Sequence, residues 1–211
     1  MAEVMCEGIE RKLAELALME DPLFGRLPPE RRHEAVDHGL MAGQQAADRI
    51  IAAYGNDPEA IAAKLAVSIK YNPEPARGGT VLYLSEYFRR PPTITLHMHS
   101  LSEANLVIRE HGLGETLGLD DISPVHLAHE LYHHLEACNL ITGTGGFQIE
   151  TFRIGPLRLK SKLASVEEIA ADRFAMAILG IKVPPGALKF LTIYEHNIDY
   201  AWDILRKLRT L

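Results

Sequence analysis

Apolar positions recur every third or fourth residue over the first third of the chain and every second residue just after it. Ile9, Leu13, Leu16 and Ala17 make a stripe at helical spacing that Asp21-Pro22 ends. Pro28-Pro29 opens a second helix to about Tyr54, where Gly55-Asn56 stops it. Asp57-Pro58-Glu59 starts a third, with aspartate as N-cap and proline at the first helical position, and Val67 to Tyr71 reads as a short strand.

Near residue 80 the period changes. Thr80 to Phe88 is β-branched and aromatic, Arg89 to Pro92 breaks it, and Thr93 to Ser100 alternates strictly. These predict neighbouring, antiparallel strands, with His97 and His99 on one side of the second. Ser102-Glu103 opens a short helix to about His111, and 112–121 is a glycine-rich connection without the spacing or lysine of a phosphate loop. Ser123-Pro124 then starts a helix to about Cys138, with serine as its cap. Residues 147–161 predict a β-hairpin, and Ser165 to Leu179 a helix closed by Gly180. Residues 187–211 read as helical with a break near Asn197. The fold class is α+β: a small antiparallel or mixed sheet packed on the helix from Ser123, with a helical N-terminal region.

Composition narrows the function classes. The chain has 211 residues, a net charge of −6 and 47% hydrophobic residues, enough for one substantial domain. That charge argues against a direct nucleic-acid partner, and Arg206, Lys207 and Arg209 read as a solvated helix face. Two cysteines, Cys6 and Cys138, make neither a disulfide framework nor a C-x-x-C pair. No segment reads as a signal peptide or a spanning helix, so the cytoplasm is the expected location and no membrane partner is expected.

The candidate chemistry lies in His129-Glu130-Leu131-Tyr132-His133. Residues four apart on a helix share a face, so His129 and His133 can direct their imidazoles at one divalent ion, zinc by preference. Glu130 lies beside that face, placed to take a proton from a water at the ion. In a chain of this composition the pattern arises by chance about once in 25 times, so further ligands matter. A histidine six residues after His133 would complete one such site, but that position is Asn139. The alternative is a glutamate from the helix at 165–179. Glu168 lies one turn before Asp172 on one face, and Asp172 can accept the outer N–H of a ligand histidine. Ser165-x-x-Glu168 is also a capping box, in which case Glu167 becomes the ligand. His126 shares the face of His129 and His133 and reads as a rim or substrate contact. Tyr194, His196 and Tyr200 are candidates for an oxyanion donor.

Ala128 to His134 (A-H-E-L-Y-H-H), followed by E-x-x-A-D-x-F-A at 168–175, resembles the ImmA/IrrE family of gluzincin-type zinc metallopeptidases. The similarity covers roughly residues 57 to 185. It implies a zincin-like metallopeptidase core at 57–185, flanked by a helical extension at 1–56 and a C-terminal helical segment at 186–211 packing on the core. It further implies zinc or occasionally manganese, a cytoplasmic bacterial or phage setting, and a protein substrate that is often a helix-turn-helix regulator. Carried over, His129, His133 and Glu168 match the ligands and Glu130 the catalytic glutamate. Where the family usually has glycine this chain has Tyr132, whose bulk must fit against the neighbouring sheet or project elsewhere. The expected function is zinc-dependent peptide hydrolysis; the alternative is a regulatory binding protein that keeps the fold and metal without proteolysis.

Overall fold

The computed structural model describes residues 2–74, 77–78, 81–112, 114–188, 199, 203–204 and 206–208; the side chains of 2–7, 77–78, 81–82 and 116–117 fall outside that description. Its helices are α1 (Ala2–Met19), α2 (Arg32–Tyr54), α3 (Pro58–Lys64), α4 (Met98–Glu110), the single turn α5 (Gly114–Leu117), α6 (Ser123–Ala137) and α7 (Ala164–Leu179). The strands are β1 (Ser68–Asn72), β2 (Arg77–Gly78), β3 (Val81–Leu82), β4 (Ser85–Arg89), β5 (Pro92–His97), β6 (Ile149–Ile154) and β7 (Leu157–Ser161).

The fold is α+β. Its main sheet has the order β1-β5-β4, with β1 parallel and β4 antiparallel to β5, so β4 is an edge strand. The strand expected from residue 80 begins only at Ser85, because Val81–Leu82 turns back to pair with Arg77–Gly78. The strand expected through residue 99 stops at His97, and His99 lies in α4. Alternation at 93–100 loses there to helical burial of Leu101, Ala104 and Ile108, all within 2% of full enclosure.

Capping explains where the helices begin. Asp57 caps α3 as expected, accepting from the N–H groups of Glu59 and Ala60. The second helix begins at Arg32, after a 3-10 turn over Pro29–Arg31. For α6 the expected serine cap is replaced by an aspartate two residues earlier. Asp121 Oδ1 accepts from the Ser123 N–H at 2.9 Å, the Ser123 hydroxyl at 2.7 Å and the Asn105 amide at 2.7 Å. A carboxylate is a stronger acceptor for a helix terminus than a hydroxyl, and here the hydroxyl serves as its donor.

One apolar cluster joins α2, α3, the main sheet, α4, α6 and α7. Ala46, Ala47 and Ile50 of α2 belong to it with Leu127, Leu131 and Leu135 of α6 and Phe174 of α7. Each fully buried leucine contributes about 1.5–3 kcal/mol. Helix α2 lies unusually close to α7 because it presents glycine there. A methyl at Gly43 would sit 2.3 Å from the Ala170 carbonyl oxygen, so only glycine permits this approach. A second cluster holds α1 and the hairpin base, through Leu18, Phe147, Ile149, Leu163, Val166 and Ile169. The expected helix break near Asn197 lies outside the described residues.

Candidate metal centre

Helices α6 and α7 bring three groups together. His129, His133 and Glu168 each offer a donor atom, and these atoms lie within 4.8 Å of one another. The two imidazole Nε2 atoms are 3.2 Å apart, with Glu168 Oε2 at 3.4 Å from His129 Nε2 and Glu168 Oε1 at 3.5 Å from His133 Nε2. Tetrahedral zinc bonds of about 2.0–2.1 Å place ligand atoms roughly 3.3–3.4 Å apart. With the Glu168 carboxylate reaching one imidazole through each oxygen, the three groups are spaced to surround a zinc-sized ion.

The outer ring nitrogens are also fixed. His129 Nδ1 donates to Asp172 Oδ1 at 2.8 Å, and His133 Nδ1 donates to Glu167 Oε1 at 2.9 Å. Each bond keeps a proton on Nδ1, so a ring that gives up its other proton turns an Nε2 lone pair into the triangle. Burial alone would lower the pKa of His129, but its bonds to Asp172 and Glu168 outweigh that and raise it well above the ordinary imidazole value. The His133 bond holds the Glu167 carboxyl below its usual range, against the effect of burial.

Glu167 thus orients a histidine, and Glu168 faces both Nε2 atoms. The capping box does not form: the buried Ser165 hydroxyl has no hydrogen-bond partner among the described residues. Instead Asp21, from the turn after α1, accepts from the Ser165 N–H at 2.9 Å and from the Leu23 N–H at 2.8 Å. Its carboxylate caps α7 from 144 residues away. With the capping role taken, Glu168 is released toward the histidines. The place of Glu167 has a simple geometric basis. The pairings His129–Asp172 and His133–Glu167 imply antiparallel helices, so one turn forward on α6 meets one turn back on α7.

Glu130 is 7% exposed and does not join the triangle. Its Oε1 accepts from the Ser85 hydroxyl at 2.7 Å, which fixes the carboxylate against edge strand β4. Sequence pattern offered no sign of Ser85, since the contact joins residues 45 apart. A cleft of about 500 Å³ opens at His129, Glu130 and Glu168. His126 lines it, as do Leu13, Leu16 and Ala17 of α1. His97 and His99 pair with Glu86 and Glu103 outside the cleft. Tyr194, His196 and Tyr200 lie outside the described residues.

Two neighbours fix the orientation of α6. Tyr132 is fully buried and faces α7 rather than the sheet, its ring 5.7 Å from that of Phe174. Its hydroxyl has no hydrogen-bond partner among the described residues, and burial raises its pKa. On the sheet side, the Tyr87 hydroxyl shares a hydrogen bond of 2.9 Å with His134 Nδ1, tying α6 to β4. Among the described residues no helix is long and apolar enough to cross a membrane. Comparison with known proteins returns no matching family model, no matching curated protein and no matching solved structure.

Proposed function

We propose that this chain is a zinc-dependent metallopeptidase with a zincin-like core, hydrolysing peptide bonds of a protein substrate. The observation that carries the reading is the His129–His133–Glu168 triangle, with both outer histidine nitrogens held by carboxylates. Two histidines and one carboxylate are the donor set of a hydrolytic zinc site that keeps one position open, whereas structural zinc sites normally use four protein ligands rich in cysteine. Cys138 is exposed and stands outside the triangle. When bound, zinc supplies Lewis-acid polarisation of the scissile carbonyl and acidifies water.

The chain's own groups supply the rest. Glu130 borders the cleft, held by Ser85, where it can take a proton from the attacking water and deliver it to the departing amine. His129 and His133 keep their orientation through Asp172 and Glu167. Edge strand β4 supports an extended peptide as substrate, because no strand among the described residues pairs with its outer side, where a peptide can add beside Glu130. A helix-turn-helix regulator is the substrate suggested by the sequence resemblance.

The alternative is a binding protein that holds the same metal without hydrolysis. The observation favouring it is that α1 forms a wall of the cleft and so narrows access to Glu130. Glu130→Gln separates the two. In a peptidase it leaves bound zinc unchanged and removes peptide cleavage by a factor of about a hundred or more. Unchanged cleavage in that variant would refute the assignment of Glu130.

A further inference from the structure

The β6–β7 hairpin gathers four exposed large apolar side chains, Phe152, Ile154, Leu157 and Leu159. Phe152 pairs with Leu159 and Ile154 with Leu157 directly across the ladder, so these four side chains share one face. Their exposures are 48%, 50%, 62% and 56%, whereas Ile149 at the base is 1% exposed. The base is fastened by Phe147, Ile149 and Leu163 in the second core cluster, and by Arg31, which donates to the Gln148 carbonyl. Beyond it the strands project, and the apolar residues nearest the Gly155-Pro156 turn are the most exposed.

The opposite face is cationic. Arg153 and Arg158 lie directly across from each other, a pairing that repels, and Lys160 follows Arg158 on the same side. Glu150, which reaches Arg158 at 3.7 Å, is the single carboxylate among these residues. In a chain of net charge −6 this is a local reversal of sign.

We propose that the hairpin tip docks on an anionic lipid surface, with Ile154 and Leu157 entering the interface and Arg153 and Arg158 reaching the headgroup phosphates. The cations supply the charge complementarity, and long arginine side chains can reach back to phosphates while the tip is immersed. The available area argues against a second copy. Four half-exposed side chains present roughly 300–400 Å² of apolar surface, below the roughly 450–520 Å² that is the apolar share of a stable interface of ~800 Å² per partner. A convex, projecting tip also suits a deformable fluid surface. Contact of this kind is peripheral and needs no spanning helix. It is independent of the metal centre.

The test is flotation of the full chain with vesicles of phosphatidylcholine, with and without phosphatidylserine. The wild type should float with the anionic vesicles only, and high salt should strip it. Ile154→Ser/Leu157→Ser and Arg153→Gln/Arg158→Gln should each reduce partitioning about tenfold or more. These positions are exposed, so unfolding temperatures should match the wild type. As a gain-of-signal readout, Ile154→Trp should add fluorescence that shifts to the blue with anionic vesicles. Absent flotation, equal flotation of the folded variants, or no shift from Ile154→Trp would overturn the proposal. So would sedimentation showing that the serine variant turns a dimer into a monomer, which would give this face to a second copy.

Discussion

Replacing Glu167 and Glu168 separately distinguishes a residue that orients a ligand from a ligand. Glu167 accepts from His133 Nδ1 at 2.9 Å, while Glu168 faces both Nε2 atoms. Removing an outer carboxylate leaves the imidazole free to rotate and to change tautomer, which typically lowers metal affinity 10- to 100-fold, or about 1.4–2.8 kcal/mol. Glu167→Ala should therefore weaken zinc binding by that factor, and Asp172→Ala should do the same through His129. Glu168→Ala removes one of three donors, and its loss should exceed either of these by at least about tenfold. The assay is competition with a chromophoric zinc chelator. It must be run at one fixed pH, because the carboxylates that support the metal also favour the proton competing with it. If Glu167→Ala costs as much as Glu168→Ala, the assignment of their two roles is wrong. If neither variant changes affinity, the triangle is not where the metal binds.

Two further outcomes follow from groups outside the triangle. Tyr132→Phe removes a buried hydroxyl that has no partner among the described residues, and an unsatisfied buried polar group costs about 1–3 kcal/mol; the variant should unfold at an equal or higher temperature in calorimetry, and a drop of several degrees would reveal a partner for that hydroxyl. Asp121→Ala removes the cap of α6 and should cost about 1 kcal/mol at neutral pH. Although burial alone would raise it, the Asp121 carboxyl is held below its ordinary range by bonds from Ser123 and Asn105. Its contribution is therefore fully present above about pH 4 and fades as pH falls through the lowered value. The stability gap between wild type and variant, read from urea unfolding, should be constant at neutral pH and shrink in acid. A gap that widens in acid would reverse the sign of this argument.

What could be read from the chain was what depends on short-range periodicity. His129 and His133 share a face because four residues make about one helical turn, and Glu168 and Asp172 do so for the same reason. The hairpin at 149–161 followed from alternation around Gly155-Pro156, and the α+β character from the change of period near residue 80. What could not be read depends on contacts between distant segments. Asp21 gives only a helix stop in the sequence, yet its carboxylate caps α7. Ser85 lies in a stretch resembling any edge strand, yet its hydroxyl fixes Glu130. Glu168 could be preferred to Glu167 because it shares a face with Asp172, but the bond from His133 to Glu167 depends on the antiparallel packing of α6 and α7. His99 misled because alternation over a few residues satisfies a strand pattern, while the burial favouring a helix lies farther along, at Leu101, Ala104 and Ile108.

The central claim is most directly tested by the zinc content of the full chain purified without chelators, measured by elemental analysis beside His129→Ala/His133→Ala. The triangle predicts about one zinc per chain in the wild type and none above background in the double variant, with both proteins folded. A wild type without stoichiometric metal even after zinc is supplied, or a double variant that keeps it, would contradict the account.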